Sequence, residues 1–597
     1  MEAKQVLMRY FGYAAFKEGQ ESMIRAVLDK KDALGIMPTG AGKSICYQVP
    51  AVMLPGITLV ISPLISLMRD QVAALNQTGI RAAFINSTLS YNQMKKALYY
   101  ASMNVYKIIY VAPERLLTTE FLDFAIHAHI SMVAVDEAHC VSQWGQDFRP
   151  SYLKIKEFCE ALPIRPVVCA FTATATDRVR EDIKRLLALQ NPYCIVTGFD
   201  RENLSFSVMS PSDKMTALIK VLEERPKCNA IIYCATRKNV ETVHEDLIKM
   251  GFSAARYHAG LSEEERATSQ DDFIYDRCRI LVATNAFGMG IDKSNVSLVL
   301  HYNMPKDPES YYQEAGRAGR DGSPAECILF YAPKDVETAR FLIEKSNSES
   351  EDENKEQKLK NDLNRLETMR KYAIQDGCLR HFLLAYFGEK SPEVCNNCSN
   401  CLSDFEQVDY TREARLMLDG IEKFDGVYGA GMLIDILYGA GTKRIRERFL
   451  DESESFGILS MCPKPVLEHL LNQLLVKGYV YKTAEQYPVI CLGDKSLKAS
   501  DRFYIRKKTV PKTQPKTKKT EVFHVEDNGL YERLRELRMK LAREKGVPAY
   551  VIFSDATLRE MSMKKPRNQE EFMQIAGVGE SKRQQYGEIF LKEINRY

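Results

Sequence analysis

Residues 132–149 read MVAVDEAHCVSQWGQDFR, and three kinds of chemistry follow one another in that stretch. MVAV is a short apolar run of the kind that forms a strand buried on both faces. Asp136 and Glu137 come directly after it. A carboxylate at the carboxyl end of a buried strand is where phosphate-loop enzymes hold Mg²⁺, and a neighbouring carboxylate can orient or deprotonate an attacking water. The remainder is an aromatic and basic loop with Trp144 (the single tryptophan of the chain), Phe148 and Arg149. Such rings can stack on unpaired bases while a cation sits nearby. By periodicity alone the loop could equally be core packing, and the residues leave both readings open. A nucleotide sensor next to a nucleic-acid sensor implies a motor that moves along a strand.

Runs of the MVAV type recur on either side. TLVISP (58–63), KIIYVAP (107–113) and PVVCAFTAT (166–174) share one half of the first 335 residues, and NAIIYCAT (229–236), RILVATN (279–285) and SLVLHYN (297–303) the other. Helical patterns separate them. Strands alternating with helices predict parallel sheets covered on both faces. About 320 residues is more than one compact sheet holds, so two similar halves breaking near 200–210 are expected. Beyond 340 the character changes. SNSESEDENKEQK (346–358) is acidic and reads as an exposed helix start, leading into Leu359, Leu363, Leu366, Met369 and Tyr372 at helical spacing. Residues 502–520 hold eight Lys or Arg and no acid, with prolines in the second half, and read as a linker.

MPTGAGKS (37–44) follows a short apolar stretch and precedes a helical pattern. There Thr39, Gly40 and Gly42 belong to a loop whose backbone N–H groups can approach phosphate. Lys43 reaches β/γ-phosphates and the Ser44 hydroxyl can ligate Mg²⁺. In YYQEAGRAGRDG (311–322), Arg317 and Arg320 lie three apart, which places them on one helical face. From there they could reach a γ-phosphate across a cleft, a contribution worth about 10³–10⁵ in rate for an arginine finger. Cys378, Cys395, Cys398 and Cys401 supply four thiolates, three of them in CNNCSNC. Four sulfurs suit tetrahedral Zn²⁺. An iron–sulfur cluster could use the same four, although no other redox motif accompanies them.

Bulk composition narrows the class. With 597 residues, 45% hydrophobic and 27% charged, the chain has the make-up of a multidomain globular protein. Apolar runs fall short of a membrane span and the start MEAKQVLMRYFG has no signal-peptide core, so a cytoplasmic location without membrane contact is expected. A net charge of +3 means that nucleic-acid binding must use a local patch. The odd count of 15 cysteines argues against a disulfide framework.

Together with VISPLISLMRDQV (60–72), YVAPERL (110–116), FTATAT (171–176) and VATNAFGMGIDK (282–293), these motifs resemble those of RecQ-type DNA helicases of superfamily 2, over nearly the whole chain. The resemblance implies a multidomain α/β protein. RecA-like lobes would span 1–205, which binds ATP, and 206–342. A helical zinc-binding module at 343–404, a winged helix at 405–505, a basic linker at 506–520 and a small all-α HRDC domain at 521–597 would follow. It also implies that RYFGYAAFKEGQ (9–20) reads adenine, with Gln20 bonding the base, Tyr13 stacking on it and Lys17 standing where the family usually carries Arg. Arg320 would be the finger, with Arg317 and Gln313 as companions, and Asp292 a residue of the nucleotide cleft. The aromatic loop would bind single-stranded DNA through Trp144, Phe148 and Arg149. Gln146 replaces the family's usual His. Implied cofactors are ATP, Mg²⁺ held by Ser44 and Asp136, and structural Zn²⁺ on the four cysteines. Implied partners are single-stranded and duplex DNA, with single-strand-binding protein and a topoisomerase. The implied activity is 3′-to-5′ unwinding in recombination, repair and replication-fork maintenance at the nucleoid, where an RNA helicase or duplex translocase would share the same motor. In the last domain, LYERLRELRMKLAREKGVPAYVIFSDATLREM (530–561) is expected to pack on Leu534, Leu537, Leu541 and the aromatic residues of YVIF. Gly577 and Gly579 form either a phosphate-approaching or a plain turn.

Overall fold

The computed structural model describes residues 2–142, 144–145, 148–285, 293–348, 355–483, 488–508 and 528–597. Asp292 and Gln146 lie outside the described residues, as does most of the basic stretch 506–520.

Two parallel sheets dominate. The first comprises β1 (Ala33–Ile36), β2 (Ile57–Ile61), β3 (Ala82–Ile85), β4 (Ile108–Val111), β5 (Ile130–Val135), β6 (Val167–Thr172) and β7 (Tyr193–Val196), in the order β3-β4-β2-β5-β6-β1-β7. The second comprises β8 (Leu204–Met209), β9 (Ala230–Tyr233), β10 (Ala254–Tyr257), β11 (Ile280–Ala283), β12 (Leu298–His301) and β13 (Ala325–Phe330), in the order β10-β11-β9-β12-β13-β8. Every pairing in both is parallel. Apolar side chains cover both faces of each sheet, giving two core clusters to the first and two to the second. That is why the central strands read as unbroken apolar runs.

Strand order decides where the motifs meet. In β5-β6-β1, three neighbouring strands end side by side, and the chain leaves them as Asp136–Glu137, as Thr174 and as the loop 37–42. Ligands of open α/β sheets bind at that carboxyl edge. The opposite end of β1 is fixed by Asp32, which is buried. Its carboxylate accepts both Arg165 Nη1 (3.0 Å) and Nη2 (2.6 Å), together with the amides of Val168 (3.0 Å) and Gln190 (2.7 Å).

The acidic stretch at 346–358 is not a single helix start. Helix Pro333–Ser348 runs into it, and helix Lys355–Ile374 begins inside it. Leu363, Leu366, Met369 and Tyr372 are buried as their spacing predicts, in a core shared with the second sheet. Next come helices Thr411–Lys423, Ala430–Tyr438 and Lys464–Lys477, the last stopped by Gly478 at φ 80° and followed by the strand Val480–Lys482. The C-terminal domain is a helical cluster over Asn528–Arg596. Phe553 and Leu534 are fully buried in it, with Leu537 and Leu541 at its margin. Tyr550 departs from the expected packing of YVIF and lines a cleft instead.

Removing one partner from a buried, multiply bonded charge costs about 3–5 kcal/mol. Asp32→Ala should therefore lower the thermal midpoint of the first lobe by several degrees, read by calorimetry of the full chain. An unchanged midpoint would mean that Arg165 and the two amides find other acceptors.

Candidate active site

A cavity of about 570 Å³ opens at the carboxyl edge of the first sheet, closed on its far side by the second. Tyr13, Lys17, Gln20, Thr39, Gly40, Gly42, Lys43, Ser44, Asp136, Glu137, Gln313, Arg317 and Arg320 all line it.

Its floor is the loop before helix Lys43–Met53. Gly40 and Gly42 have φ of +85° and +84°, a region that side-chain-bearing residues rarely adopt. A Cβ on Gly42 would also stand 2.5 Å from Gln20 Nε2. That amide donates to the carbonyls of Ala41 and Gly42 (3.1 Å each), while Gln20 Oε1 accepts from Lys17 N at 2.9 Å. Lys17 sends its ammonium to the Gly40 carbonyl (2.9 Å). Burial and the nearby Arg201 lower its pKa below the usual lysine range. In this state the side chains of Lys17 and Gln20 brace the loop.

Glu137 follows β5 in a left-handed conformation, φ 47°. Burial alone would raise its pKa, but Lys43, His139, Arg317 and Arg320 outweigh that and hold the carboxyl below the ordinary 4.5. A polar path leads away from it. His139 Nδ1 lies 3.4 Å from Glu137 Oε2 and 2.8 Å from Thr172 Oγ1. Thr172 Oγ1 donates to the Thr174 carbonyl (3.0 Å), and Gln313 Nε2 from the second lobe donates to Thr174 Oγ1 (3.3 Å). The carboxylate is thus linked to the opposite lobe through His139, Thr172, the backbone and side chain of Thr174, and Gln313.

The placement of the arginines corrects the sequence reading. Helix Pro308–Ala315 ends before them, so Arg317 and Arg320 do not share a helical face. Gly316, Gly319 (φ +56°) and Gly322 (φ +84°) terminate the helix, and the turn is pinned instead by Gly319 N donating to the Val296 carbonyl (2.8 Å). Both side chains nevertheless reach the cavity.

The four cysteines, further along the chain, converge. The Sγ atoms of Cys378, Cys395, Cys398 and Cys401 all lie within 4.8 Å of one another. An all-sulfur set of that size fits tetrahedral Zn²⁺ at about 2.3 Å per bond. Asn397, inside the cysteine loop, donates to the carbonyls of Glu202 and Leu204 (3.1 Å each), which ties this knot to the start of the second sheet.

Known families match in the same order. DEAD/DEAH box helicase matches residues 17–183, helicase conserved C-terminal domain 213–322, RecQ zinc-binding 333–402, RQC domain 404–516 and HRDC domain 527–594. The chain is 42% identical over 597 residues to the ATP-dependent DNA helicase RecQ of Bacillus subtilis, covering 100% of this chain and 98% of that protein. Proteins of the same name from Haemophilus influenzae (38% over 603 residues) and Pasteurella multocida (37% over 604) match over 100% of this chain and 96% and 94% of their own lengths. This chain belongs to the RecQ family.

Within that RecQ framework the aromatic loop is partly occupied by its own protein. Trp144 packs against the first-lobe core, and the Arg178 guanidinium sits 3.2 Å from the centre of its ring. Arg149 donates from Nη1 to the Pro63 carbonyl (3.0 Å), and Phe148 is half-buried.

Sequence reasoning missed the residues that reach the cavity from the last domain. Tyr550, Val551, Ser554 and Lys582 line it as well. Gly577, at φ +86°, donates from its amide to the Gly12 carbonyl (3.0 Å), and a Cβ on Gly579 would meet the Tyr10 carbonyl at 2.9 Å. The turn at 577–579 abuts backbone of the first lobe. Only the order of chain segments around a cleft could have announced this.

Glu137 is ionised at any pH above 4.5, because the shift is downward from that value. Glu137→Gln keeps the shape and removes the charge, and should slow ATP hydrolysis by about 10²–10⁴-fold with a fluorescent ATP analogue still bound. Hydrolysis at the native rate would remove Glu137 from the reaction. Arg317→Gln deletes one of the cations, so the acid limb of its residual activity should move to higher pH.

Proposed function

We propose that this chain is an ATP-dependent DNA helicase travelling 3′ to 5′, with Lys43, Asp136, Glu137, Gln313, Arg317 and Arg320 as its hydrolytic residues. One observation carries the reading: phosphate-loop, carboxylate and arginine side chains from two separate sheets face one cavity. The full-length relationship to RecQ proteins and the presence of both helicase families support it. Tyr13, Lys17, Gln20, Thr39, Gly40 and Gly42 would form the rest of the ATP site. Ser44 and Asp136, both oxygen donors on the cavity wall, would hold Mg²⁺ with the nucleotide; when bound, it spreads the β/γ-phosphate charge.

Chemistry at the cleft follows from charge and position. Lys43 binds the β/γ-phosphates. Glu137, kept anionic by the cations around it, orients and accepts a proton from the attacking water. Arg317 and Arg320 meet the negative charge that grows on the transferring oxygens. Because these arginines belong to the second lobe, charge development at the phosphate works across the interlobe seam, and hydrolysis and lobe movement become one event. Separating DNA costs about 1.4 kcal/mol per base-pair step in stacking, so unwinding draws on that event.

Trp144, Phe148 and Arg149 are assigned to single-stranded DNA. A base entering beside Trp144 would displace Arg178 from the ring, and the movement passes along the backbone towards Glu137. The four cysteines hold Zn²⁺ in a structural role. Duplex as well as single-stranded DNA is the expected substrate, and single-strand-binding protein and a topoisomerase are proposed as partners on family grounds. Among the described residues no helix is long and apolar enough to cross a membrane.

Duplexes with 3′ or 5′ single-stranded tails test the reading directly. The wild-type chain should unwind the 3′-tailed DNA and Lys43→Ala neither; equal unwinding of both tails would end the polarity claim. Preference for RNA duplexes would favour the RNA-helicase reading of the same motor. Trp144→Ala should bind nucleotide normally and lose DNA stimulation of ATPase by about 5-fold or more, in line with a stacking term of about 1–3 kcal/mol. Undiminished stimulation would make the loop a packing element.

A further inference from the structure

Arg201 lies in the segment that joins β7 to β8, and its guanidinium sits between the phosphate loop and the arginine turn. Nη1 donates to the carbonyls of Thr39 (2.8 Å) and Gly316 (3.1 Å). Nη2 donates to those of Ala318 (3.0 Å) and Gly319 (2.6 Å), and Nε to Asn203 Oδ1 (3.4 Å). Each of these acceptors is uncharged. Three of them are backbone carbonyls of the turn that follows helix Pro308–Ala315, close to the negative end of that helix, where a cation is favoured. The fourth belongs to the phosphate loop of the other lobe. A planar fork of five donors can bridge four carbonyls on two loops, which the compact ammonium of lysine cannot.

The surroundings fit a built clamp. A Cβ on Gly40 would come within 3.3 Å of Nη1, and one on Gly316 within 3.4 Å of the Thr39 Cβ, so the two loops touch at this point. Asn203 Nδ2 adds bonds to the carbonyls of Gly319 (2.9 Å) and Ser323 (2.8 Å). The backbone on which Arg201 sits is itself held from behind. Arg380 pairs with Asp200 and donates to the Arg201 carbonyl (2.9 Å), while Asn397 of the cysteine loop takes Glu202 and Leu204.

We propose that Arg201 is a positioning residue for ATP hydrolysis, fixing the distance between the Thr39 loop and the Gly316–Gly319 turn so that Arg317 and Arg320 are delivered to the phosphate. It acts through those arginines and rests on the ATPase reading of the cleft. A misplacement of about 1 Å at a reacting centre costs on the order of 10²-fold in rate.

The test compares Arg201→Gln, Arg201→Lys, Arg320→Ala and the Arg201→Gln/Arg320→Ala double variant in the full chain, with Lys43→Ala as control. Steady-state ATPase with single-stranded DNA and binding of a fluorescent ATP analogue are the readouts. Arg201→Gln should lose about 10²-fold in kcat while analogue affinity moves by less than about threefold, and Arg201→Lys should recover only part of the loss. The double variant should be no slower than Arg320→Ala alone, because residues that act as a unit are not additive. Native kcat in Arg201→Gln, losses that multiply in the double variant, or a loss confined to affinity would each overturn the proposal. Should Arg201→Gln unfold at the assay temperature, Asn203→Ala replaces it. That variant should lose about 10-fold in kcat with the same non-additivity, and native kcat there overturns the proposal equally. If the wild type fails to hydrolyse ATP, or Lys43→Ala matches it, the ATPase reading falls and this inference with it; a hydrolysing wild type indifferent to Arg201 sinks the inference alone.

Discussion

Like charges repel, and the cleft of this protein concentrates them. Lys43, Arg317 and Arg320 face one cavity, with Lys17 and Arg201 directly behind the phosphate loop. Among the described residues, the carboxylates on its wall are Asp136 and Glu137. A wall of that sign suits a polyanion. The consequence reaches through the structure: Glu137 is kept ionised, the cations not aimed at phosphate are spent on backbone carbonyls, and the arginines are supplied by a different sheet from the lysine. On the proposed function, the negative charge of ATP would add to the hydrogen bonds that already join the two lobes through Arg201 and Gln313.

The cysteine knot and the interlobe segment serve the same end by holding geometry. Asn397 and Arg380 bond the backbone from Asp200 to Leu204, and Arg201 projects from that stretch towards both loops. A core of apolar residues including Phe206, Leu363, Leu379 and Cys398 joins this region to the second sheet. The zinc-type site and the second lobe therefore form one packed unit, and the four sulfurs stabilise a wall of the motor.

Much of this is legible in the residues, and the parts that are not share a cause. The central strands read as apolar runs because both their faces are covered. β3, β7, β8 and β10 lack such runs, and these four are the edges of the two sheets, half-buried and mixed in pattern. The Asp136–Glu137 pair, Lys43 and the cysteine cluster are named by side-chain chemistry, and the structure brings the first three to one cavity and the four sulfurs together. For Arg317 and Arg320 the three-residue spacing suggests a helix, but the helix stops at Ala315 and both side chains reach the cavity from the turn beyond it. Arg201 gives no signal, because its partners are carbonyls and every residue has one. Trp144 shows the complementary limit: its ring was recognised, but the Arg178 lying on it belongs to a helix 34 positions later and no local pattern joins them.

The last domain closes the cleft with residues 550–554 and 582, and it is anchored on residues near the beginning of the chain: Ser581 Oγ donates to the Gln77 carbonyl at 2.9 Å, and Gly577 N to that of Gly12 at 3.0 Å. Chains are made from the N-terminus at about 5–20 residues per second. Each sheet is contiguous in sequence, so the first lobe is complete after Val196 and the second after Phe330. The outer wall of the nucleotide cavity arrives only with residues 550–582. During synthesis there is an interval of some ten seconds or more, at those rates, in which a finished motor has an unfinished lid, and a truncated message would release it in that form.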